Sequence, residues 1–288
     1  MKTKTSKKIP KLYQVANLWS LVHYTSSKRE WSLERKLAAV AEAGFDGVTT
    51  ALNEETGKLA AKHGLKVVGF LSASRKKDFR PMLEQNRDGG AYDINVQLGD
   101  HDTTTERVVD LAIRLMKEGR KLGVQPAVEI HRDTCTETPE KTYALADGYR
   151  KATGRVLPMT LDYSHFAVVK HLAPSNFSKR LLERTDLVAN ARQVHFRTFN
   201  GHHCQVPVTD GRGRLTPELK DCLPVIGDIF RIWLKGNPGL EQLWVCPEMG
   251  PVPGGYNFHC LPNSWEEAQR LRKLIAASWR SEVKKFKA

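Results

Sequence analysis

"AVEIHRDTCTE", residues 127–137, carries an apolar run of strand type into four ionisable side chains within five positions: Glu129, His131, Arg132 and Asp133. A strand buried on both faces keeps charge out of its length and releases it only at an end. The pattern returns three times downstream. "VLPMTLD" (156–162) ends in Asp162, "RQVHFRT" (192–198) carries His195, and "QLWVCPEM" (242–249) carries Glu248. Working upstream, four more strand-like runs appear: "YDINVQL" (92–98), "LKVVGFL" (65–71), "DGVTT" (46–50) and "LYQVANLW" (12–19). With "QPAVEI" (125–130) as the fifth, the chain offers eight strands, several of them near-continuous in Val, Ile and Leu.

Helical patterns lie between the strands. "SLERKLAAVAEAG" sets Leu33, Leu37, Val40 and Ala41 on one face and stops at a glycine. "TTTERVVDLAIRLMKEGRKLG" opens on a capping box, Thr103 with Glu106, and Ser264 with Glu267 gives another before the last helix. Thr138-Pro139 and Thr216-Pro217 each place a capping side chain before a proline at the first helical position. Eight strands, mostly followed by helices, in 288 residues fit a single (β/α)8 TIM barrel, α/β in class. A doubly wound sheet would prefer a glycine-rich phosphate loop after its first strand, and "NLWSLVHYTSS" has none. The expected organisation is a flexible basic arm over residues 1–11 and one barrel domain over 12–288.

Composition narrows the class. Hydrophobic residues make up 40% and charged residues 27%, ordinary values for a soluble globular protein, and no apolar run approaches a membrane span. The N-terminal "MKTKTSKKIPK" lacks the apolar segment of a secretory signal. Five scattered cysteines form no C-x-x-C pair, which points to a reducing cytoplasm. The net charge of +13 sits largely in the two ends, so it raises the isoelectric point without building a groove, and nucleic acid is not the expected partner.

In a barrel the C-terminal ends of the strands carry the chemistry. Taken singly, a glutamate there is a solvated or ion-paired group, and a histidine in an apolar strand is a hydrogen-bonded core residue. Together, Glu129, Asp162, His195 and Glu248 come from four consecutive strands and aim up to three negative charges at one axis. That costs several kcal/mol per unpaired ion unless a cation or protons compensate. One imidazole with three carboxylates is an oxygen-rich ligand set, suited to Mn²⁺ first, with Mg²⁺, Co²⁺ or Zn²⁺ as alternatives. His165, three residues past Asp162, is a second-ion ligand, a contact to a substrate oxygen, or an orienting group. His131 lies on the strand face of Glu129 and reaches for the same pocket. Arg132 either holds an anionic ligand group or pairs with Asp133. Trp19, His23, Gln97, His101, Arg197 and His202 stand at or just past other strand ends, as candidates for substrate contact. For a phosphorylated substrate, Arg197, Arg212, Arg214 and the glycines at 254 and 255 are the residues to watch.

With these residues placed, the chain resembles the xylose isomerase-like barrel superfamily, in its sugar-phosphate isomerase/epimerase group. "VEIHR", "LDYSH", "VHFR" and "EMGPVPGGY" carry the resemblance, which extends from the first strand to the last helix. It implies that Glu129, Asp162, His195 and Glu248 hold one divalent metal, and that His165 is the D-x-x-H histidine that contacts substrate or metal. It further implies a carbohydrate substrate and proton transfer through a metal-stabilised enediolate, with Glu129 and Glu248 as the exchanging pair. A metal-dependent lyase, dehydratase or hydrolase acting on a keto-sugar or polyol shares the first steps. The superfamily's endonucleases place extra histidines on early strands; "VTTALNEE" and "GFLSASR" have none, which argues against that branch. A non-catalytic sugar-binding barrel would be expected to lose a ligand. A homo-oligomer is compatible with the sequence.

Overall fold

The computed structural model describes residues 9–236 and 239–287. The first eight residues of the expected basic arm lie outside the described residues. Eight parallel strands close into a barrel in chain order: β1 (Lys11–Asn17), β2 (Gly47–Thr50), β3 (Lys66–Ala73), β4 (Asp93–Leu98), β5 (Gln125–Glu129), β6 (Met159–Leu161), β7 (Gln193–Phe196) and β8 (Gln242–Pro247). The barrel closes where Lys11 to Gln14 pair with Gln242 to Val245. All eight strands read from the sequence are present, each within three residues of its expected ends.

The helices are α1 (Leu33–Glu42), α2 (Glu54–Lys62), α3 (Lys76–Asp88), α4 (Thr105–Leu122), α5 (Pro139–Thr153), α6 (Tyr163–Val169), α7 (Phe177–Leu181), α8 (Thr185–Ala189), α9 (Pro217–Gly236) and α10 (Ser264–Lys287). Their starts follow the capping chemistry, with two corrections. Thr104, not Thr103, caps α4 by accepting from Arg107 N, because Thr103 Oγ1 is engaged with Asp100. Asn263, not Ser264, caps α10 by accepting from Trp265 N at 2.9 Å. Glu267 turns away to take Thr209 N at 2.7 Å and Thr209 Oγ1 at 2.8 Å. Thr138 before Pro139 and Thr216 before Pro217 cap as the sequence indicates.

Two apolar layers separate the parts of the molecule. Between barrel and helices lies the main core, where Leu37 and Val40 of α1, Leu111 and Leu115 of α4, and Ile275 of α10 are buried. Phe230 of α9 packs edge-on against Phe196 of β7 and Trp279 of α10, at 5.6 and 5.1 Å between ring centres. Full burial of such a side chain stabilises by about 1.5–3 kcal/mol. Inside the barrel a smaller cluster of Val15, Val68, Trp244 and Cys246 fills the middle. Below it Asp93 accepts from Trp244 Nε1 at 2.7 Å. This packed middle holds the ionisable layer at the C-terminal rim.

Candidate functional site

The ends of several strands deliver polar groups to that rim. Glu129 is the last residue of β5, and its carbonyl accepts from Thr136 Oγ1, which pins the loop back onto the strand end. Thr134 Oγ1 donates to His131 O at 2.8 Å and touches Thr136 Oγ1 at 2.9 Å, so two threonines shape "HRDTCTE". Asp162 follows β6 and caps α6, its Oδ1 accepting from Ser164 N and Oγ. His195 lies within β7 opposite Cys246 of β8. Glu248 is placed by one ladder bond beyond β8, from its own N to Phe196 O at 2.9 Å.

The four side chains meet. One donor atom from each of Glu129, Asp162, His195 and Glu248 lies within 4.8 Å of the other three, and all four residues are buried. His195 Nδ1 stands 2.9 Å from Glu129 Oε1 and 2.8 Å from Glu248 Oε2. At these distances neither His195 Nδ1 nor Glu248 Oε2 makes an aligned hydrogen bond. A buried polar atom left without any partner costs about 1–3 kcal/mol. Glu248 Oε2 is also met by the Arg197 guanidinium at 2.9 Å, whereas His195 Nδ1 has only the two carboxylates. A divalent ion seated among them would use those lone pairs, so the residues fit a metal with mixed imidazole and carboxylate ligands.

The remaining carboxylate oxygens are held from outside. Asn95 and Gln97 of β4 donate to Glu129 Oε2 at 2.9 and 3.0 Å, and Asn17 of β1 donates to Glu248 Oε1 at 2.9 Å. Such amides fix which oxygen faces the centre. Arg197 is fully enclosed and binds two members of the set, through Nε to Asp162 Oδ2 and a terminal nitrogen to Glu248 Oε2, both at 2.9 Å. The sequence placed Arg197 among substrate contacts; in the structure its guanidinium is committed to the carboxylates. Gln205, from the loop after β7, accepts from Arg197 and clamps Gly250 by accepting from its N and donating to its O.

Charge decides the protonation states. Burial pushes the Glu129 carboxyl up, but the neighbouring imidazoles of His195 and His131 more than reverse this and hold it down at about 2. For Glu248 burial is likewise overcome, by Arg197 first and His195 next, again to about 2. Burial drives His195 down, but Glu248 and Glu129 outweigh it and carry it up to about 10. His165 is different: burial dominates and lowers it to about 4, leaving a neutral imidazole whose Nε2 lies 3.5 Å from Asp162 Oδ2.

Above the centre opens a cavity of about 460 Å³, within the range of about 300–1,000 Å³ usual for small-molecule sites. Its walls include Glu129, His195 and Glu248 together with Trp19, Phe70, Gln97, His131 and Tyr256. Trp19 meets Tyr256 edge-on at 5.0 Å, and His131 packs 4.5 Å from His165. His202 is not part of these walls: it is exposed, 5.6 Å from His171. His101 is also exposed and pairs with Asp133 at 2.6 Å, which removes Asp133 as the partner expected for Arg132. Asn17, Asn95, Tyr256 and Gln205 escaped the sequence reading. Asn95 had a signal: with Gln97 it repeats a polar residue at every second position of an apolar strand. Among the described residues no second metal-type cluster of three or more groups occurs. No described helix is long and apolar enough to cross a membrane.

No protein-family model matches the chain, and no curated relative does. Solved structures do match. An L-ribulose 3-epimerase superposes with a TM-score of 0.64 at 14% identity, over 95% of this chain and 96% of that one. A D-allulose 3-epimerase from Methylomonas sp., in complex with D-allulose, gives 0.60 at 14% identity over 95% and 98%. A xylose isomerase-like TIM barrel protein from Mycobacterium smegmatis, in complex with magnesium, gives 0.59 at 16% identity over 94% and 97%. The chain therefore has the fold of the xylose isomerase-like TIM barrels, shared along nearly its whole length with these three structures.

Proposed function

We propose that the protein is a divalent-metal-dependent sugar isomerase or epimerase. One observation carries this reading: four buried donor groups, an imidazole and three carboxylates, converge within 4.8 Å at the floor of a cavity. The neighbours in fold that are sugar 3-epimerases, one of them in complex with D-allulose, support a carbohydrate as the ligand class. The D-x-x-H histidine His165 belongs to this reading as the neutral group beside Asp162.

Glu129, Asp162, His195 and Glu248 would hold the ion, Mn²⁺ by our reading of the ligand set, with Mg²⁺ the ion in one neighbour. Bound there, a divalent ion supplies Lewis-acid polarisation of a carbonyl and charge to balance a developing enediolate. The chain's own residues do the rest. Glu129 and Glu248 lie on either side of His195 and form the proton-exchanging pair. Glu129 is held by neutral amides and takes the proton from the carbon beside the carbonyl. Glu248 returns a proton to the opposite face; the Arg197 guanidinium beside it favours its ionised form, so that proton is one it takes up from solvent, and Glu129 afterwards releases its own to solvent. Trp19, Phe70 and Tyr256 give the substrate an apolar wall.

The test is exchange in D₂O with a panel of aldoses and ketoses in the presence of Mn²⁺. The proposal expects solvent deuterium at the carbon beside the carbonyl with the carbon skeleton and substituents intact. Loss of a substituent would assign the lyase or dehydratase alternative, and no exchange with any sugar would contradict proton transfer.

A further inference from the structure

Arg132 stands on the wall of the cavity, three residues beyond Glu129. Its guanidinium lies 4.3 Å from the centre of the Tyr256 ring, against which Arg197 also lies, at 4.6 Å. The two arginines share a ring and differ in everything else. Arg197 is enclosed and bonded to Asp162 and Glu248. Arg132 is exposed to the cavity mouth, and among the described residues its guanidinium has no carboxylate partner and no hydrogen bond. The adjacent Asp133 is bound to His101, and Arg214 is held by Asp210 on the far loop.

The backbone that presents Arg132 is fixed. His131 Nδ1 meets Arg132 O at 2.6 Å, and Thr134 Oγ1 donates to His131 O. The fork is therefore backed by an aromatic face, mounted on an ordered turn, and free to donate. That is the arrangement by which arginine recognises carboxylate and phosphate groups. The charges agree. Glu129, Asp162 and Glu248 bring three negative charges, which Arg197 and a divalent ion would balance, so Arg132 is a surplus positive charge facing the ligand.

We infer that the site takes an anionic sugar derivative, a sugar phosphate or a sugar acid, with its anionic group on Arg132 and its carbonyl end toward Glu129 and Glu248. This inference rests on the carbohydrate reading of the site given above. The enclosed Arg197, already committed to carboxylates, does not serve the anion.

Titration calorimetry on the Mn²⁺-loaded protein tests it. The probes are D-fructose, its 1- and 6-phosphates, and 5-keto-D-gluconate, against wild type, Arg132→Gln and Arg132→Lys, with thermal melts and Mn²⁺ affinity verifying that each variant keeps its fold and metal. Wild type is expected to bind a phosphate ester or the acid at least about tenfold more tightly than fructose; which one it prefers separates the two sources of anion. In Arg132→Gln that preference falls by about 10–100-fold, and Arg132→Lys, with the charge but not the fork, recovers part of it. Equal or tighter binding of fructose by wild type, or an unchanged anion preference in Arg132→Gln, overturns the inference. Because calorimetry reads binding without turnover, anion binding without deuterium exchange would refute proton transfer and leave the anion site standing. Exchange with neutral sugars alone would do the reverse.

Discussion

At the scale of single residues, the site is a cluster of like charges made tolerable by its neighbours. Arg197 is an internal counter-charge, so Arg197→Met leaves Asp162 with no cation in the metal-free protein and Glu248 with His195 alone. Removing one partner of a buried pair costs about 3–5 kcal/mol, and chemical denaturation in the presence of chelator is expected to read that loss. Mn²⁺ should restore much of it in the variant; an unchanged metal-free stability would refute the role. On the proposed scheme Glu129→Gln loses both the base and one candidate ligand, and deuterium exchange at saturating Mn²⁺ is expected to fall by about 10²–10⁴-fold. His195 gives a pH dependence. Its pKa in the folded, metal-free protein is raised to about 10, above the unfolded value, so the stability it contributes is complete below an unfolded pKa of about 6.5 and is lost as pH rises through about 10. An ion that takes Nδ1 must displace that proton. Calorimetry in buffers of different ionisation enthalpy should therefore show proton release on metal uptake at pH 7.5, and affinity that strengthens with pH.

At the scale of elements, the loops after β7 and β8 turn a row of strand ends into a cavity. Gly250 and Gly254 lie flat on Trp19: a Cβ would sit 2.7 Å from Trp19 Cη2 at the first and 2.2 Å from Trp19 Cζ2 at the second. Gly254→Ala must therefore push the indole out of place. The expected cost is about 1–3 kcal/mol in stability, read by denaturation, together with weaker sugar binding at normal Mn²⁺ affinity. The strands were legible because a parallel barrel demands apolar runs that end in function, and Glu129, Asp162, His195 and Glu248 mark those ends. What lay between β6 and β7 was less so. Residues 163–189 fold as three short α-helices, α6, α7 and α8, with the turn at Lys170 to Leu172 and Pro174 separating the first two. Thr103 with Glu106 satisfies the capping box in sequence and Thr104, followed by Arg107, does not, yet Thr104 caps the helix because Thr103 is bonded to Asp100. Tyr256 and Gln205 were hidden for another reason: each acts on a neighbouring loop whose residues are far away in the chain, Gln205 on Gly250 and Tyr256 on Trp19.

At the scale of the whole molecule, metal binding and folding should be linked. The four candidate ligands stand at or just past the ends of β5, β6, β7 and β8, so an ion bound only by the folded chain would stabilise the barrel as a unit. At one hundred times its dissociation constant it adds about 2.7 kcal/mol. Mn²⁺ is expected to raise the melting temperature by several degrees and chelator to reverse this. The same linkage gives the central test. Wild-type protein, freed of metal and titrated with Mn²⁺ by calorimetry, is predicted to bind one ion per chain, while a folded Glu129→Gln/Glu248→Gln variant binds none under the same conditions. A double variant that takes up Mn²⁺ with the wild-type stoichiometry and affinity would contradict the account at its centre.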